Sequence, residues 1–460
     1  MARRAHQVLV AAAPGDAVTN EALLLRSALR SLDWVGESEV FARYVDPALA
    51  GDVLPLDGFT ERSPAGPAAA RDLLVVHASI GEPAVAAFLA GRPEPIVLVY
   101  HNISPSASFR AYDPAFADLL DGGRRELAAL RPRVALALAD SAFNAADLES
   151  MGYAGVRVSP LVVDAAALAR LEPDPATTEE LAGVEGPVVL FVGQLLPHKR
   201  PDLLVQAYHV LATYLEPRAG LVLVGPGRLP RYRRAVERYV DELGLTGARV
   251  VGPVGDAALA SFYGRADVFV TASDHEGFCV PVLEAMAFGV PVVARACGAI
   301  PETAGGAALL VPPGDDALVL AEALAAAVGD AALRDALVER GRARLGAFAV
   351  ERSTATFLAH LAELACGGDD GPAGRLLPVQ GRLRGPVQAV VDGDVGRVGG
   401  GRRVLDDAVH PGGHRRPVPD RQTQQRAGGH RHRQPTDRRR HRALPSPATP
   451  SSYRRPRPAG

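Results

Sequence analysis

Residues 271–293, TASDHEGFCVPVLEAMAFGVPVV, decide the fold prediction for this chain. The run RADVFV at 265–270, immediately upstream of this stretch, is apolar and β-rich and predicts a buried strand. Downstream, Pro281 suits the first turn of a helix, VLEAMA extends that helix and Gly289 can end it. The stretch therefore predicts a strand, a loop and a helix, with Glu276 in the loop and Glu284 on the helix.

The two carboxylates of this stretch, Glu276 and Glu284, lie eight residues apart at the predicted strand–helix junction. In open α/β sheets, ligands bind outside the carboxyl ends of the strands. Exposed amides at the start of a helix also attract anions such as phosphate. Taken singly, each acid is an ordinary loop or helix residue, but their spacing favours a site for a phosphorylated ligand that carries hydroxyl groups.

Strand-like and helical runs alternate along the chain; QVLVAAA, DLLVVH, PIVLVYH and VALALAD are strand-like in the first half, and VVLFVGQ and LVLVGPG in the second. This alternation predicts parallel sheets with crossover helices. We expect one α/β domain over residues 1–183, a second over 184–350 and a final helix over 351–366. VRVSPLVVD at 156–164 is predicted to be a strand, and the Pro-, Glu- and Gly-rich residues 171–187 a linker.

The composition indicates a globular protein of a reducing compartment. Hydrophobic residues make up 48% of the 460 residues, and the formal net charge of −2 gives no reason to expect a nucleic-acid partner. The three cysteines, Cys279, Cys297 and Cys366, have no paired spacing, which argues against a metal cluster. No run reaches the roughly 18 apolar residues that span a bilayer. We expect a cytoplasmic protein, and a peripheral contact at the inner face of a membrane is left open.

Residues 367–460 differ in character from the rest of the chain. They mix Gly, Pro, Arg, Gln and His with little apolar periodicity, and hold 19 arginines against 8 aspartates. Such a segment cannot bury enough apolar surface to offset the entropy of ordering, so we predict a disordered basic tail. A solvated tail, or a translation shifted out of frame, is favoured over a segment that binds nucleic acid or anionic lipid.

Lys199 is the only lysine among the 50 Lys and Arg residues of the chain, and the rest are arginines. It lies in FVGQLLPHKRPDLL, in the loop after the first strand of the second predicted domain. A compact ammonium suits a phosphate that is held in a confined site, whereas the alternative is an ordinary surface lysine. Gly193, at the end of the same strand, would let a diphosphate approach the backbone.

His101 ends a predicted strand in YHNISP, and His77 ends another. A histidine at the carboxyl end of a strand can bond a substrate hydroxyl or carry a proton. The alternative is a histidine that is bonded into its own loop. Cys279 fits a small packed position better than a nucleophile, because no histidine motif accompanies it.

Several common catalytic motifs are missing from the sequence. It has no G-x-x-x-x-G-K-[ST] loop, no G-x-G-x-x-G after the first strand, no G-x-S-x-G and no H-E-x-x-H. The two predicted α/β domains also lack a D-x-D segment of the kind that chelates a metal–diphosphate. NTPases, Rossmann dehydrogenases and zinc hydrolases are therefore disfavoured, and no metal or other cofactor is expected.

Four segments carry a family resemblance: FVGQLLPHKRPDLLVQA, LVLVGPG, DVFVTASDHEGFCVPVLEAMAFGVPVVAR and GAIPETAGGAALLVPPGD. By their order and spacing, residues 5–365 resemble a retaining glycosyltransferase of the GT-B fold, in the group-1-type family with the E-x7-E motif (glycosyltransferase family four). The resemblance implies two Rossmann-like domains that face a cleft, with a nucleotide-sugar donor held mainly by the second. It also implies a last helix that crosses back to the first domain.

The resemblance places the candidate residues along the donor. Gly193 and Lys199 would face its diphosphate, Glu284 the ribose and Val254 the base. The donor sugar would face three consecutive residues, Glu276, Gly277 and Phe278.

Two further positions follow from the resemblance. His101 matches a first-domain histidine near the reacting sugar and the acceptor. The family often has an arginine after the glycine at Gly193, where this chain has Gln194. Arg200, at a position where glycine is common, is expected to compensate in part for the missing diphosphate cation.

The implied reaction is the transfer of a hexose, such as mannose or glucose, with retention at the anomeric carbon and without a metal ion. The acceptor would be a glycan, a glycolipid or another hydroxyl compound of polysaccharide assembly. His101, Glu276 and Lys199 are the catalytic candidates, with Lys199 and helix amides stabilising the leaving diphosphate. The alternatives are a catalytically weak nucleotide-sugar-binding protein, suggested by Gln194, and a sugar phosphorylase or epimerase of the same fold.

Overall fold

The computed structural model describes residues 3–314 and 316–366. The predicted disordered tail, 367–460, lies outside the described residues. The described part contains two parallel β-sheets, each flanked by helices. Among these residues, no helix is long and apolar enough to cross a membrane.

The first sheet has eight strands, and every strand pair in it is parallel. The strands are β1 (Arg3–Ala12), β2 (Val35–Glu37), β3 (Val40–Val45), β4 (Leu54–Pro55), β5 (Leu73–Ala78), β6 (Ile96–Tyr100), β7 (Val134–Ala139) and β8 (Arg157–Val158). Their order is β4-β3-β1-β5-β6-β7-β8, with β2 paired to β1. Strands β3 and β4 lie on one side of β1, and strands β5 to β8 lie on the other. The strand order therefore reverses at β1, and the topological switch point lies between β1 and β5.

Helices connect these strands, as parallel pairing requires. They are α1 (Ala17–Arg30), α2 (Phe59–Arg62), α3 (Pro83–Ala90), α4 (Pro114–Leu130) and α5 (Ala142–Ser150). Four of these helices begin at a side-chain cap. The side chains of Asp16, Asp113 and Ser141 each accept a hydrogen bond from the amide three residues later, and Glu82 accepts one from the Ala84 amide.

The second sheet has six parallel strands in the order β11-β10-β9-β12-β13-β14. They are β9 (Val188–Val192), β10 (Gly220–Val224), β11 (Ala248–Val251), β12 (Val268–Thr271), β13 (Val292–Arg295) and β14 (Ala308–Val311). This is the doubly wound Rossmann order, and its switch point lies between β9 and β12.

Nine helices of the described chain follow the first sheet. They are α6 (Pro175–Ala182), α7 (Pro201–Val210), α8 (Pro230–Glu242), α9 (Asp256–Arg265), α10 (Val280–Ala287), α11 (Ile300–Ala304), α12 (Ala317–Gly329), α13 (Ala331–Leu345) and α14 (Val350–Cys366). The strand–loop–helix arrangement predicted around 271–293 is present as β12, a loop and α10.

The nine-residue strand predicted at 156–164 is wrong. Only Arg157–Val158 pair with β7. Beyond them, Leu161 and Val163 are buried in a cluster with second-domain residues, whereas Val162 is buried with first-domain residues. The alternating apolar pattern therefore reflects a connecting segment that packs against two cores, rather than a long strand.

Helix α6 lies within the predicted linker, 171–187, where no helix was expected. The Asp174 side chain caps the helix by accepting the Thr177 amide, and Pro175 occupies the first turn. Leu181 is buried and anchors the helix. Short helix-start signals outweigh the Pro- and Glu-rich composition here.

The last helix, α14, packs on the first domain. Its residues Phe357, Leu361 and Leu364 are buried in one cluster with Leu25 of α1 and Val97 of β6. Burial of large apolar side chains of this kind contributes about 1.5–3 kcal/mol each. The end of the described chain is therefore held by the core of the first sheet.

Candidate active site

The loops after β9 and β12 meet at the switch point of the second sheet. The Asp274 amide donates a hydrogen bond of 2.7 Å to the His198 carbonyl, which joins the two loops. The neighbouring residues Lys199 and Glu276 then face each other across this joint. The candidate site lies where ligands bind in open α/β sheets.

Lys199 and Glu276 form a bidentate ion pair. The Lys199 Nζ lies 2.6 Å from Oε1 and 2.7 Å from Oε2 of Glu276. The Ser273 hydroxyl donates a third hydrogen bond, 2.7 Å long, to Glu276 Oε1. Burial opposes the charged form of the amine, but Glu276 outweighs it and raises the pKa of Lys199. The structure thus brings two predicted site residues together as a charged pair.

A short 3-10 turn over Pro197–Lys199 places the lysine. Arg200 follows in the left-handed backbone region, with a φ of 53°, and α7 begins immediately after it. The Arg200 guanidinium is bonded to Asp202 at 3.0 Å and lies 3.5 Å from Asp274. Gln194, at the end of β9, is exposed. The expectation that Arg200 compensates for Gln194 stays a prediction.

Gly193 ends β9 where the strand approaches its neighbour β10 closely. Its amide donates a 3.0 Å hydrogen bond to the Val224 carbonyl. A Cβ on the facing Gly225 would lie 2.1 Å from the Gly193 carbonyl oxygen, so a side chain has no room there. The contact between Gly193 and a diphosphate stays a prediction.

Glu284 lies on α10, buried, with a defined orientation. The Tyr263 hydroxyl of α9 donates a 2.8 Å hydrogen bond to Glu284 Oε2. The helix starts after Cys279, whose φ of 75° is unusual for a residue with a side chain. Burial raises the pKa of the Cys279 thiol well above its usual value, so the sulfur is protonated and is a poor nucleophile, as its sequence context indicates.

The loop after β12 also contacts the first domain. The Ser141 hydroxyl donates a 2.8 Å hydrogen bond to the Gly277 carbonyl. The His275 Nε2 lies 2.6 Å from Asn102 Oδ1. A Cβ on Gly277 would lie 2.7 Å from the Asn102 Cβ, closer than side-chain atoms approach one another. Gly277 therefore permits the closest approach between the two domains at this site.

Phe278 and Val254 lie at the edges of the candidate site. The Phe278 ring is buried and packs edge-on against Phe348, with ring centroids 5.3 Å apart. The Phe278 ring therefore packs into the core, and only the backbone of this residue lies beside Glu276 in the loop. Val254 is half-buried after β11, two strands away from β9. Their contacts with a donor sugar and a base stay predictions.

His101 lies at the carboxyl end of β6 in the first domain, and only 3% of its side chain is exposed. Its Nδ1 lies 2.9 Å from Asp140 Oδ2, and its Nε2 lies 2.9 Å from His77 Nδ1. Both ring nitrogens therefore have protein partners. These partners belong to neighbouring strands and not to the histidine's own loop, and the contact of His101 with a substrate stays a prediction.

Sequence reasoning gave no site role to several of these residues. Asp140 ends a strand beside the strand of His101, so the rule that selected His101 could also have selected it. Asn102 has a φ of 78°, which no sequence signal announces. Glu21 lies within helix α1 and Tyr263 within α9, and nothing in their local sequence marks them as buried partners of the site.

Two Rossmann-like domains that contact each other beside a switch-point site define a glycosyltransferase fold of the GT-B class. Residues 177–344 match the family described as glycosyl transferases group 1. This part of the chain therefore matches the group 1 family, which confirms the family resemblance and the fold class inferred from the sequence.

The chain is similar to curated glycosyltransferases over part of its length. It is 34% identical over 170 residues to the O-antigen chain mannosyltransferase B of Escherichia coli, covering 36% of this chain and 43% of that protein. It is also 34% identical over 201 residues to the D-inositol 3-phosphate glycosyltransferase of Geodermatophilus obscurus, covering 41% and 44%. The matched segment thus spans less than half of each relative.

Among solved structures, HepE of Anabaena in complex with UDP-glucose superimposes with a TM-score of 0.59. The match covers 78% of this chain and 99% of that one, at 20% sequence identity. At this identity the likeness shows the shared fold and carries no information on substrate.

Proposed function

We propose that this protein is a retaining glycosyltransferase, which moves a hexose from a nucleotide-sugar donor to the hydroxyl group of a glycan or lipid-linked acceptor. The observation that carries the proposal is the Lys199–Glu276 ion pair at the switch point of the second sheet. The Glu284 side chain of α10, which the Tyr263 hydroxyl of α9 orients, also supports the proposal. A cation and two separate carboxylates match the diphosphate, the sugar and the ribose of such a donor.

Donor binding would exchange the partners of the ion pair. In the free protein, Glu276 neutralises the Lys199 ammonium. A diphosphate offers the ammonium stronger, charge-assisted hydrogen bonds. Glu276 would then turn to the sugar hydroxyls, with Ser273 still donating to it. Each charged group therefore keeps a partner through the binding step, which avoids a buried unpaired charge.

The chemistry that this site supplies is electrostatic. When the bond to the anomeric carbon breaks, negative charge develops on the leaving nucleoside diphosphate. Lys199 and the amides at the start of α10 would stabilise that charge from fixed positions. The contacts of Gly277 with Ser141 of the first domain would keep water from the reacting carbon. We propose that neither a metal ion nor another cofactor is needed.

Mannose and glucose are the first sugars to test. The relatives named above include a mannosyltransferase and a D-inositol 3-phosphate glycosyltransferase. We propose a glycan or glycolipid acceptor and a cytoplasmic site of action, with peripheral contact at the inner face of the membrane.

A panel of nucleotide-sugars, including GDP-mannose and UDP-glucose, would be screened for thermal stabilisation with EDTA present. A donor at 100 times its dissociation constant stabilises the folded state by about 2.7 kcal/mol. Transfer and hydrolysis would then be measured with the stabilising donor. We expect Glu284→Ala to lose both the stabilisation and the turnover. Wild-type turnover in both Glu284→Ala and Lys199→Ala would refute the proposal.

A second candidate function is a nucleotide-sugar-binding protein with weak catalysis. The exposed, neutral Gln194 at the end of β9 favours it, because the site then has one cation fewer beside the diphosphate. Calorimetric donor binding without turnover across an acceptor panel would support this candidate. Consumption of inorganic phosphate, or interconversion of sugars without an acceptor, would instead reveal a phosphorylase or an epimerase.

A further inference from the structure

A buried chain of hydrogen bonds crosses the first sheet beside the site. It links Gln7 of β1, His77 of β5, His101 after β6 and Asp140 after β7. Each of the three links is 2.9 Å long. The donors and acceptors along this chain can be assigned from its two ends.

Gln7 settles the first link. Its amide nitrogen donates a 2.8 Å hydrogen bond to the Ala22 carbonyl, which only a donor can satisfy. Its Oε1 therefore faces His77 Nε2, and that nitrogen must carry the proton. Burial and the charge of His101 hold the pKa of His77 well below its usual value, so this ring is neutral. The Nδ1 of His77 is consequently left with a lone pair.

The two histidine rings share a single proton. The ring planes of His77 and His101 make an angle of 4°, and the ring centroids are 5.2 Å apart. The facing nitrogens, His77 Nδ1 and His101 Nε2, are 2.9 Å apart. With rings of this size, these values place both rings edge to edge in one plane, with the facing nitrogens on the line between the centroids. Because His77 Nδ1 is an acceptor, His101 Nε2 must donate.

The opposite end of the chain fixes the second ring nitrogen of His101. Its Nδ1 faces the Asp140 carboxylate, which accepts hydrogen bonds when ionised. His101 therefore donates from both nitrogens. We infer that His77, fixed in one tautomer by Gln7, is a positioning residue that holds His101 as an imidazolium cation.

The charges around His101 agree with this assignment. Asp140 faces it from the end of β7, Glu21 Oε2 lies 3.4 Å from its Nε2 and Asp16 caps the same helix as Glu21. Burial opposes the charged ring, but these carboxylates raise the pKa of His101 to about 9. Burial raises the pKa of Glu21 to about 8. Burial also raises the pKa of Asp140, whereas the charge of His101 and its hydrogen bond lower it. The 2.9 Å contact between Asp140 Oδ2 and His101 Nδ1 therefore identifies Asp140 as the carboxylate partner of the cation.

A metal ion is the competing occupant of this cluster. Glu21, His77 and His101 offer ligand atoms that all lie within 4.8 Å of one another. Metal–nitrogen bonds of about 2.0 Å along two collinear lone pairs would separate the nitrogens by about 4 Å. The observed 2.9 Å between them fits one proton.

This assignment changes the role open to His101. With both N–H groups engaged, the ring acts as a fixed positive charge and not as a proton carrier. The His101 carbonyl packs beside Gly277, where an added Cβ would approach it to 3.1 Å, so the backbone of His101 adjoins the loop of Glu276. Its contribution to transfer, which rests on the function proposed above, would be to stabilise negative charge in the cleft.

The test is nitrogen-15 NMR of histidine side chains in the full-length protein without donor, with assignments from the single His77 and His101 substitutions. At pH 7 we expect His101 to be protonated on both nitrogens and His77 on Nε2 alone. In His77→Leu, which removes the acceptor and leaves no room for water, the pKa of His101 should fall by about one to two units. His77→Asn places an amide oxygen near the Nδ1 position, and we expect it to keep the imidazolium.

A neutral His101 at pH 7, a proton on His77 Nδ1, or an unchanged His101 titration in His77→Leu would overturn the inference. Stoichiometric zinc in the purified protein that is lost in His77→Leu would also overturn it. If His77→Leu does not fold, the wild-type spectrum decides alone. The alkaline limb of the kcat profile should move to lower pH in His77→Leu. Because the NMR measurement needs no turnover, an imidazolium without transfer would count against the proposed function only.

Discussion

The Lys199 ammonium bonds both carboxylate oxygens of Glu276, at 2.6 Å and 2.7 Å, where the loops after β9 and β12 meet. The two residues are 77 positions apart in the sequence, so the fold alone brings them together. The only lysine of the chain thus has as its partner the first of the two acids that lie eight residues apart, Glu276 and Glu284. This relationship makes the pair a unit in stability as well as in function.

Removing one partner of the pair should destabilise the protein more than removing both. Lys199→Met leaves the Glu276 carboxylate without its cation, and Glu276→Gln leaves the ammonium without its anion. A buried pair broken on one side costs about 3–5 kcal/mol, and the partial exposure of Lys199 places this pair toward the low end. Urea unfolding of both single variants and the double variant measures the coupling. Additive losses would contradict the account.

Tyr263→Phe should weaken donor binding and also lower fold stability, because the hydroxyl bonds a buried carboxylate. The substitution removes the 2.8 Å hydrogen bond that orients Glu284 and keeps the buried ring. Loss of one hydrogen bond to a charged group costs about 1.5–3 kcal/mol. A loss of this size in the free energy of donor binding raises the donor KM roughly tenfold or more. Initial rates against donor concentration measure it. Tyr239→Phe, on the outer helix α8, is the matched control, and an equal effect in it would exclude a specific role for Tyr263.

Gln194→Arg should tighten donor binding. The residue is exposed at the end of β9, so an arginine can be accommodated and would add a cation beside the diphosphate. An exposed charge pair is worth about 1 kcal/mol or less, so the dissociation constant should fall by roughly fivefold and the gain should shrink with salt. Calorimetry at two salt concentrations measures both. Gln194→Glu should weaken binding, and equal affinity in the two variants would place the diphosphate elsewhere.

Stability should fall as the pH rises from about 6.5 to about 9. The pKa of His101 is raised to about 9, and that of an unfolded histidine is about 6.5. Between these values the folded protein keeps a proton that the unfolded chain releases, so the free energy of unfolding decreases with pH. Glu21, with its pKa raised to about 8, acts in the same direction up to that pH. Urea unfolding across this range measures the slope.

Asp140→Asn tests the origin of that pH dependence. The substitution keeps an oxygen near His101 Nδ1 but removes the negative charge. The pKa of His101 should then fall, so the decrease in stability above about pH 6.5 should end at lower pH and be smaller. An Asp140→Asn protein with the wild-type pH profile would show that other groups control it.

Gly277→Ala should reduce turnover strongly. An added Cβ would lie 2.7 Å from the Asn102 Cβ and 3.0 Å from Asn144 Nδ2, so the two domains would have to move apart. Misplacement of reacting groups by about 1 Å can cost about 100-fold in rate. Gly264→Ala is the control, since nothing lies within 4 Å of its added Cβ. Similar rates in Gly277→Ala and the wild-type protein would argue against a closed reactive state.

The sequence was sufficient to predict the two α/β domains and the loop that carries Glu276. Hydrophobic runs bounded by Gly and Pro specify buried parallel strands, and the strand ends then identify the site. It was insufficient for segment 156–164, because apolar alternation looks the same for a strand as for a connection that packs against two cores. For α6, the start signal of Asp174 and Pro175 was present, but the prediction for 171–187 rested on the Pro-, Glu- and Gly-rich composition instead.

The buried hydrogen-bond chain of the first domain could not be predicted, for a different reason. It depends on the register of parallel strands, in which Gln7 pairs with Val75 and His77 with Val99. Register between strands that are distant in sequence is set by packing of the whole sheet, which no local pattern encodes. The sequence therefore placed His101 at a strand end without revealing that both of its nitrogens are engaged.

The most direct test of the central claim is the rate of sugar transfer from the donor that stabilises the protein. We would compare the wild-type protein with Lys199→Ala and with Arg238→Ala, whose arginine forms an exposed pair on α8. Removing one group that stabilises transition-state charge typically costs about 100- to 1,000-fold in kcat. The account predicts a loss of this size in Lys199→Ala and wild-type rates in Arg238→Ala. Equal rates in all three proteins would contradict it.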